Sequence, residues 1–145
     1  VEQPSTPQAE ERTVEVQAHE IAMASNIRDV VRGLVEALGA TMVAAIGGVS
    51  ETRAVKQWMT DRDPQRPNTL RFALQLAWII AEKSDRETAR AWFQGVNPHL
   101  NDAVPLLLLR ERPLSDVQGS LMSAVRAFPR KSQLVSLVPK PHTDI

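Results

Sequence analysis

Between Asn26 and Leu38 apolar residues return every third or fourth position: Ile27, Val30, Val31, Leu34, Val35 and Leu38. Arg28, Asp29, Arg32 and Glu36 fill the rest of the wheel. This spacing predicts an amphipathic helix, started by Ser25 or Asn26 and ended by Gly39. A short apolar helix is expected from Thr41 to Ile46, with Met42, Ala45 and Ile46 inward. Gly47 and Gly48 predict a turn, and Ser50 the cap of a helix reaching about Thr60, with Ala54, Val55, Trp58 and Met59 apolar. Pro64 and Pro67 in "DPQRPN" deny a continuous helix and mark a loop. Over Thr69 to Lys83 the residues Leu70, Phe72, Ala73, Leu74, Leu76, Ala77, Trp78, Ile79 and Ile80 lie almost all round the wheel. A helix of that kind belongs in the middle of a fold.

"SDRE" restarts a helix, with Ser84 as cap and Glu87 at the capping-box position, and Ala89, Ala91, Trp92 and Phe93 follow. "GVNPHL" stops it. "NDAVPLLLLRER" reads as a short helix with Asp102 near its cap and Pro105 in its first turn. A last helix carries Leu114, Val117, Leu121, Val125 and Phe128 on one face and ends at Pro129. The ends differ. Residues 1–24 mix Pro, Ser, Thr, Gln and Glu with no sustained apolar face and read as a flexible tail. Residues 130–145 read as a second, basic-to-neutral tail, in which "QLVSLV" alternates only weakly as a strand. The expectation is an all-α protein: tail 1–24, a helix-turn-helix half over 25–84, a smaller helical half over 85–129, and tail 130–145.

Ala, Leu and Val outnumber a sparse aromatic set, which favours helices over a sandwich or barrel. Cysteine is absent, which removes disulfides and thiolate metal sites. No apolar run is long enough to span a bilayer, so the expectation is a cytoplasmic protein with no membrane partner. The formal net charge is +0, which argues against wholesale polyanion binding. The distribution is uneven, however: Arg53, Lys56, Arg62, Arg66 and Arg71 stand against Glu51, Asp61 and Asp63. Catalysis finds little support. His19, His99 and His142 are dispersed, no hydrolase, metalloprotease or phosphate-loop motif is present, and Asp61/Asp63 and Asp85/Glu87 read as helix-end charges. No catalytic residue, metal ligand or cofactor is expected.

Gly47–Gly48, with the small Ala44 and Ala45 before them, suit the corner of a helix-turn-helix. The connection looks about one residue longer than the usual unit. If it is such a unit, Glu51, Thr52, Arg53, Lys56 and Gln57 face outward, and Ser50, Thr52, Arg53, Lys56 and Gln57 are the candidate DNA contacts. Arg53 and Gln57 can make bidentate base contacts, and Lys56, Arg62 and Arg66 suit phosphates. The alternative is an ordinary helical corner with a solvated face.

In "ARAWFQGVNPHLNDAVPLLLLRERPLSDVQGSLMSAV", Trp92, Asn97, Leu100, Pro105 and Leu108 fall in the order Ala-x-x-Trp, Asn-x-x-Leu, Pro, Leu-Leu and final helix. That order resembles the toxin-binding domain of the Xre/MbcA/ParS antitoxins. Upstream, "VSETRAVKQW", "PQR" and the long Leu/Ala-rich helix resemble the Xre-like helix-turn-helix that precedes it. The similarity runs from about Ile27 to Phe128. It implies an antitoxin of a type II toxin–antitoxin module that neutralises a RES-type, NAD-consuming toxin and represses its own operon through operator DNA. It also implies toxin contact by Trp92, Asn97, Leu100, Pro105 and Leu108, with Arg130 and Lys131 offering cations from the following segment. The "LLLL" run and the all-round apolar helix suggest a homodimer. A stand-alone dimeric regulator and a protein-only adaptor are the alternatives on the same fold.

Overall fold

The computed structural model describes residues 7–130, and over them the chain is all helical. The order is α1 (Pro7–Ala24), α2 (Ile27–Leu38), α3 (Ala40–Ile46), α4 (Thr52–Trp58), α5 (Pro67–Lys83), α6 (Arg86–Gln94), α7 (Pro105–Glu111) and α8 (Leu114–Ala127). A 3₁₀ turn, Pro98–Leu100, lies between α6 and α7. The stretch 133–138 lies outside the described residues.

The α5 helix is the axis, as its all-round apolar wheel predicts. Leu70, Phe72, Ala73, Leu76, Ala77, Ile79 and Ile80 are at most 2% exposed, because α1, α2, α6 and α8 all lie against it. One continuous core runs from Ala18 through α5 to Val125. The apolar excess that suggested a dimer is therefore largely covered within the chain. Of the "LLLL" run, Leu109 is buried, Leu106 and Leu108 are half-buried, and Leu107 is exposed.

The expectation of a tail over 1–24 is corrected. Residues Pro7–Ala24 form a helix laid along α5. Its inner stripe is Val14, Ala18 and Ala22, spaced i, i+4, i+8, with both alanines buried. Small side chains give a weak hydrophobic pattern, yet they let two backbones approach closely, so dispersion replaces bulk. Two features outside the stripe hold it. Arg71 donates to the Ala22 and Ser25 carbonyls at 2.7 and 2.6 Å. Glu15 and Glu10 accept from Arg126 and Arg130, both at 2.7 Å.

Local chemistry explains the helix boundaries, with three revisions. Asn26 caps α2 by accepting from the Asp29 N–H, as expected. The cap of α6 is Asp85, which accepts from the Thr88 N–H, rather than Ser84 with Glu87; the shorter, charged acceptor takes the site, and Ser84 bonds the Thr88 hydroxyl. Ser50 does not cap α4. Glu51 holds that position without a side-chain bond. Asp102 is not near the cap of α7 in conformation, since it sits in the left-handed region at φ 63° and Val104 precedes the helix.

Candidate nucleic-acid and partner interfaces

The α3–α4 corner is built from two glycines with different duties. Gly48 has φ 80°, a left-handed value that L side chains rarely adopt. The Val49 N–H reaches back to the Ala44 carbonyl and the Gly48 N–H to the Ala45 carbonyl, the paired bonds of a Schellman end. Gly47 instead provides room: a Cβ there would lie 2.4 Å from Cη2 of Trp58. The indole of α4 thus rests on the bare backbone at the end of α3. This fixes how the two short helices meet.

Arginines from other helices then hold the corner, those of α2 at the C-terminal end of α4 and that of α7 at the end of α3. The Arg28 guanidinium donates to the Trp58 carbonyl at 2.9 Å and the Arg62 carbonyl at 2.6 Å, and pairs with Asp63 at 3.0 Å. Arg32 donates to the Met59 carbonyl at 2.7 Å. On the other side, Arg110 of α7 donates to the Ala45 and Val49 carbonyls, both at 3.1 Å. Cations on the free carbonyls at helix C-termini are favourable for both hydrogen bonding and dipole reasons. The same device closes α8, where Lys83 donates to the carbonyls of Val125 and Phe128 at 3.0 Å each.

These commitments sort the basic residues. Arg53 and Lys56 are exposed and, among the described residues, their side chains make no hydrogen bond or ion pair. With Gln57, which is half-buried, they share one face of α4 opposite Val55 and Trp58. Ser50 and Thr52 are exposed just before and at its first turn, and Arg62 is exposed just beyond it. Arg66 and Arg71 differ from these. Arg66 lies over Gly48 and donates to the Arg110 carbonyl at 2.8 Å, and Arg71 closes α1. Each spends donors on carbonyls, which fixes where its guanidinium lies without neutralising its charge.

The C-terminal half is organised around Asn97. Its side chain accepts from the His99 N–H at 2.9 Å, its carbonyl from the Leu100 and Asp102 N–H groups, and its N–H donates to the Ala103 carbonyl. Asn101 and Asp102 take φ 54° and 63°, conformations that Asn and Asp tolerate best among side-chain-bearing residues. Leu100 is then pinned against α8, and Pro105 is buried at the head of α7. Trp92 meets Phe93 edge to face at 5.1 Å.

This placement changes the expected partner contacts. Trp92 and Asn97 are 8% exposed and Leu100 is 7% exposed, and Pro105 is also buried. They build the half rather than offer a surface; Leu108 is half-buried. Arg130 is engaged with Glu10 of α1, and Lys131 lies outside the described residues. Large apolar side chains that are exposed here are Val96 before the Asn97 turn and Leu107 on α7. The sequence pattern hid them, because an apolar residue inside "GVNP" or "LLLL" looks like core until the fold shows which way it faces.

No protein-family model, curated protein or solved structure matches the chain. The described helices include none long and apolar enough to cross a membrane.

Proposed function

We propose that the chain is an antitoxin of the Xre/MbcA/ParS kind, acting in the cytoplasm, which binds operator DNA through α4 and a RES-type, NAD-consuming toxin through its C-terminal half. The observation that carries the DNA half is the contrast on α4. The C-terminal end of α4 is held by Arg28 and Arg32 of α2, and Arg110 holds the end of α3 that leads into it, while the side chains of Arg53 and Lys56 on the outer face of α4 have no partner among the described residues. A short, anchored helix with an uncommitted arginine in its first turn and a lysine on the same face in its last turn suits entry into a major groove. The toxin class rests on the resemblance of the α6–α8 segment. It is supported by exposed Val96 and Leu107 on a unit whose pattern residues serve its own fold.

In this reading Arg53 reads base edges and Lys56 meets phosphate. The test is a mobility-shift titration on a duplex from the region upstream of the chain's own gene. Tight binding with a steep salt dependence is expected. Arg53→Ala lowers affinity for that duplex about tenfold or more and relaxes its preference over unrelated DNA, whereas Lys56→Ala weakens both and flattens the salt slope. Equal, weak binding to every duplex, untouched by Arg53→Ala, contradicts the reading.

A further inference from the structure

A concavity of about 380 Å³ opens at the head of α5, lined by Arg66, Thr69, Glu111, Arg112, Pro113 and Leu114. Four observations converge there. First, α5 is 17 residues long and its start has no side-chain cap: Arg66 occupies that position, and Pro67 has no N–H. The first helical bond runs from the Leu70 N–H to the Arg66 carbonyl. The Asn68 and Thr69 N–H groups are therefore without an acceptor among the described residues, at the positive end of the longest buried helix dipole in the fold. Second, Thr69 is 8% exposed, yet its hydroxyl makes no hydrogen bond among the described residues, and Thr69 lines the concavity. The hydroxyl oxygen is not sealed off from solvent, so water can reach it through the concavity and a ligand oxygen there can take over that bond. Third, Arg112 is exposed and its guanidinium makes no ion pair or side-chain hydrogen bond among the described residues. Fourth, Arg66 spends one nitrogen on the Arg110 carbonyl and keeps the rest of its five-donor fork.

We infer that this concavity is a binding site for a phosphate-class oxyanion, held by the Asn68 and Thr69 N–H groups, the Thr69 hydroxyl and the guanidiniums of Arg66 and Arg112. Donors dominate the wall, and the only carboxylate lining it is that of Glu111. Orphan N–H groups at a helix start favour tetrahedral oxyanions, and two arginines add the bidentate forks that suit them. The volume lies in the lower part of the range of about 300–1,000 Å³ in which small-molecule sites fall, so there is space for more than a bare phosphate. The phosphoryl group can come from a small phosphorylated molecule or from a nucleic-acid backbone; the site stands whether or not α4 reads DNA.

The probe is inorganic phosphate, titrated into the full chain with amide ¹H–¹⁵N correlation spectra as the readout and chloride at matched ionic strength as the control. Saturable shifts concentrated at Asn68 and Thr69 are expected with phosphate and not with chloride. Arg112→Gln, at an exposed side chain without protein partners, weakens that binding about tenfold, as expected for loss of a charge-assisted bond. Thr69→Val, which keeps the shape, weakens it several-fold, and Glu111→Gln tightens it. Shifts that never saturate, that spread over Arg53 and Lys56 alike, or that persist unchanged in both Arg112→Gln and Thr69→Val overturn the assignment. Once saturable binding is seen, a short duplex identifies the source. Competition with phosphate at the two amides names a backbone phosphate, and duplex binding that leaves them unmoved names a small phosphorylated molecule.

Discussion

Replacing Gly47 with Ala tests whether the α3–α4 corner depends on contact between an indole and bare backbone. The backbone at Gly47 has φ −75°, which any residue adopts, so the substitution carries no torsional strain. Taken alone it would stabilise by about 0.4–1 kcal/mol through the unfolded chain. The obstacle is Trp58. The added Cβ would sit 2.4 Å from Cη2 and 2.6 Å from Cζ3, where carbon atoms prefer about 3.5–4.0 Å. The ring must retreat by about 1 Å in a close-packed interior, and Trp58 is only 5% exposed. Overpacking of this kind costs about 1–3 kcal/mol, so a net loss of about 1–2 kcal/mol is expected. Urea denaturation followed by tryptophan fluorescence measures it. Trp58→Phe removes both offending atoms, so Gly47→Ala should be far better tolerated in that background. The double-mutant cycle should then show a favourable coupling of about 1–2 kcal/mol. A Gly47→Ala protein as stable as the wild type, or a strictly additive cycle, refutes the reasoning.

Three further outcomes follow from the same contacts. Arg110→Met should lower stability by about 1–3 kcal/mol, because the Ala45 and Val49 carbonyls lose a charged donor; hydrogen exchange should quicken at Gly48 and Val49 first. Asn97→Ala removes the side-chain acceptor for the His99 N–H from a part-buried turn and should cost about 1–2 kcal/mol in thermal or urea unfolding. Ala22→Leu places bulk where α1 meets α5 and should cost about 1–3 kcal/mol by the same assays, whereas an unaffected Ala22→Leu protein would mean that α1 does not pack as described.

How much of this was legible beforehand depends on the kind of signal each element carried. The α5 helix announced itself, since apolar residues on every face leave no alternative to burial. The Trp58 and Val55 face of α4 was equally plain, because both residues are large and correctly spaced. The α1 helix was not, because Ala18 and Ala22 look neutral to any pattern of hydrophobicity although they make the close contact with α5. The basic residues could not be told apart for a related reason. Arg66 and Arg71 look the same in sequence as Arg53, and only the fold shows that the first two meet carbonyls of distant segments. Trp92, Asn97, Leu100 and Pro105 were noticed correctly as a constellation, but the chemistry behind their spacing is that of a turn and its anchor. A residue type required for folding and one required for contact leave the same trace in a single sequence.

The account's central claim is that one chain joins a DNA-reading corner to a toxin-holding half, and the second of these functions is tested most directly in cells. The chain is co-expressed with the product of the neighbouring gene, which the account expects to be a RES-type protein, while growth and cellular NAD are followed and the two proteins are recovered by affinity capture. The account predicts that the neighbour alone arrests growth and depletes NAD, that co-expression restores both, and that the two proteins co-purify as a stable complex. Arrest that persists while the chain is folded and abundant, or a gene neighbourhood without such a toxin, contradicts it.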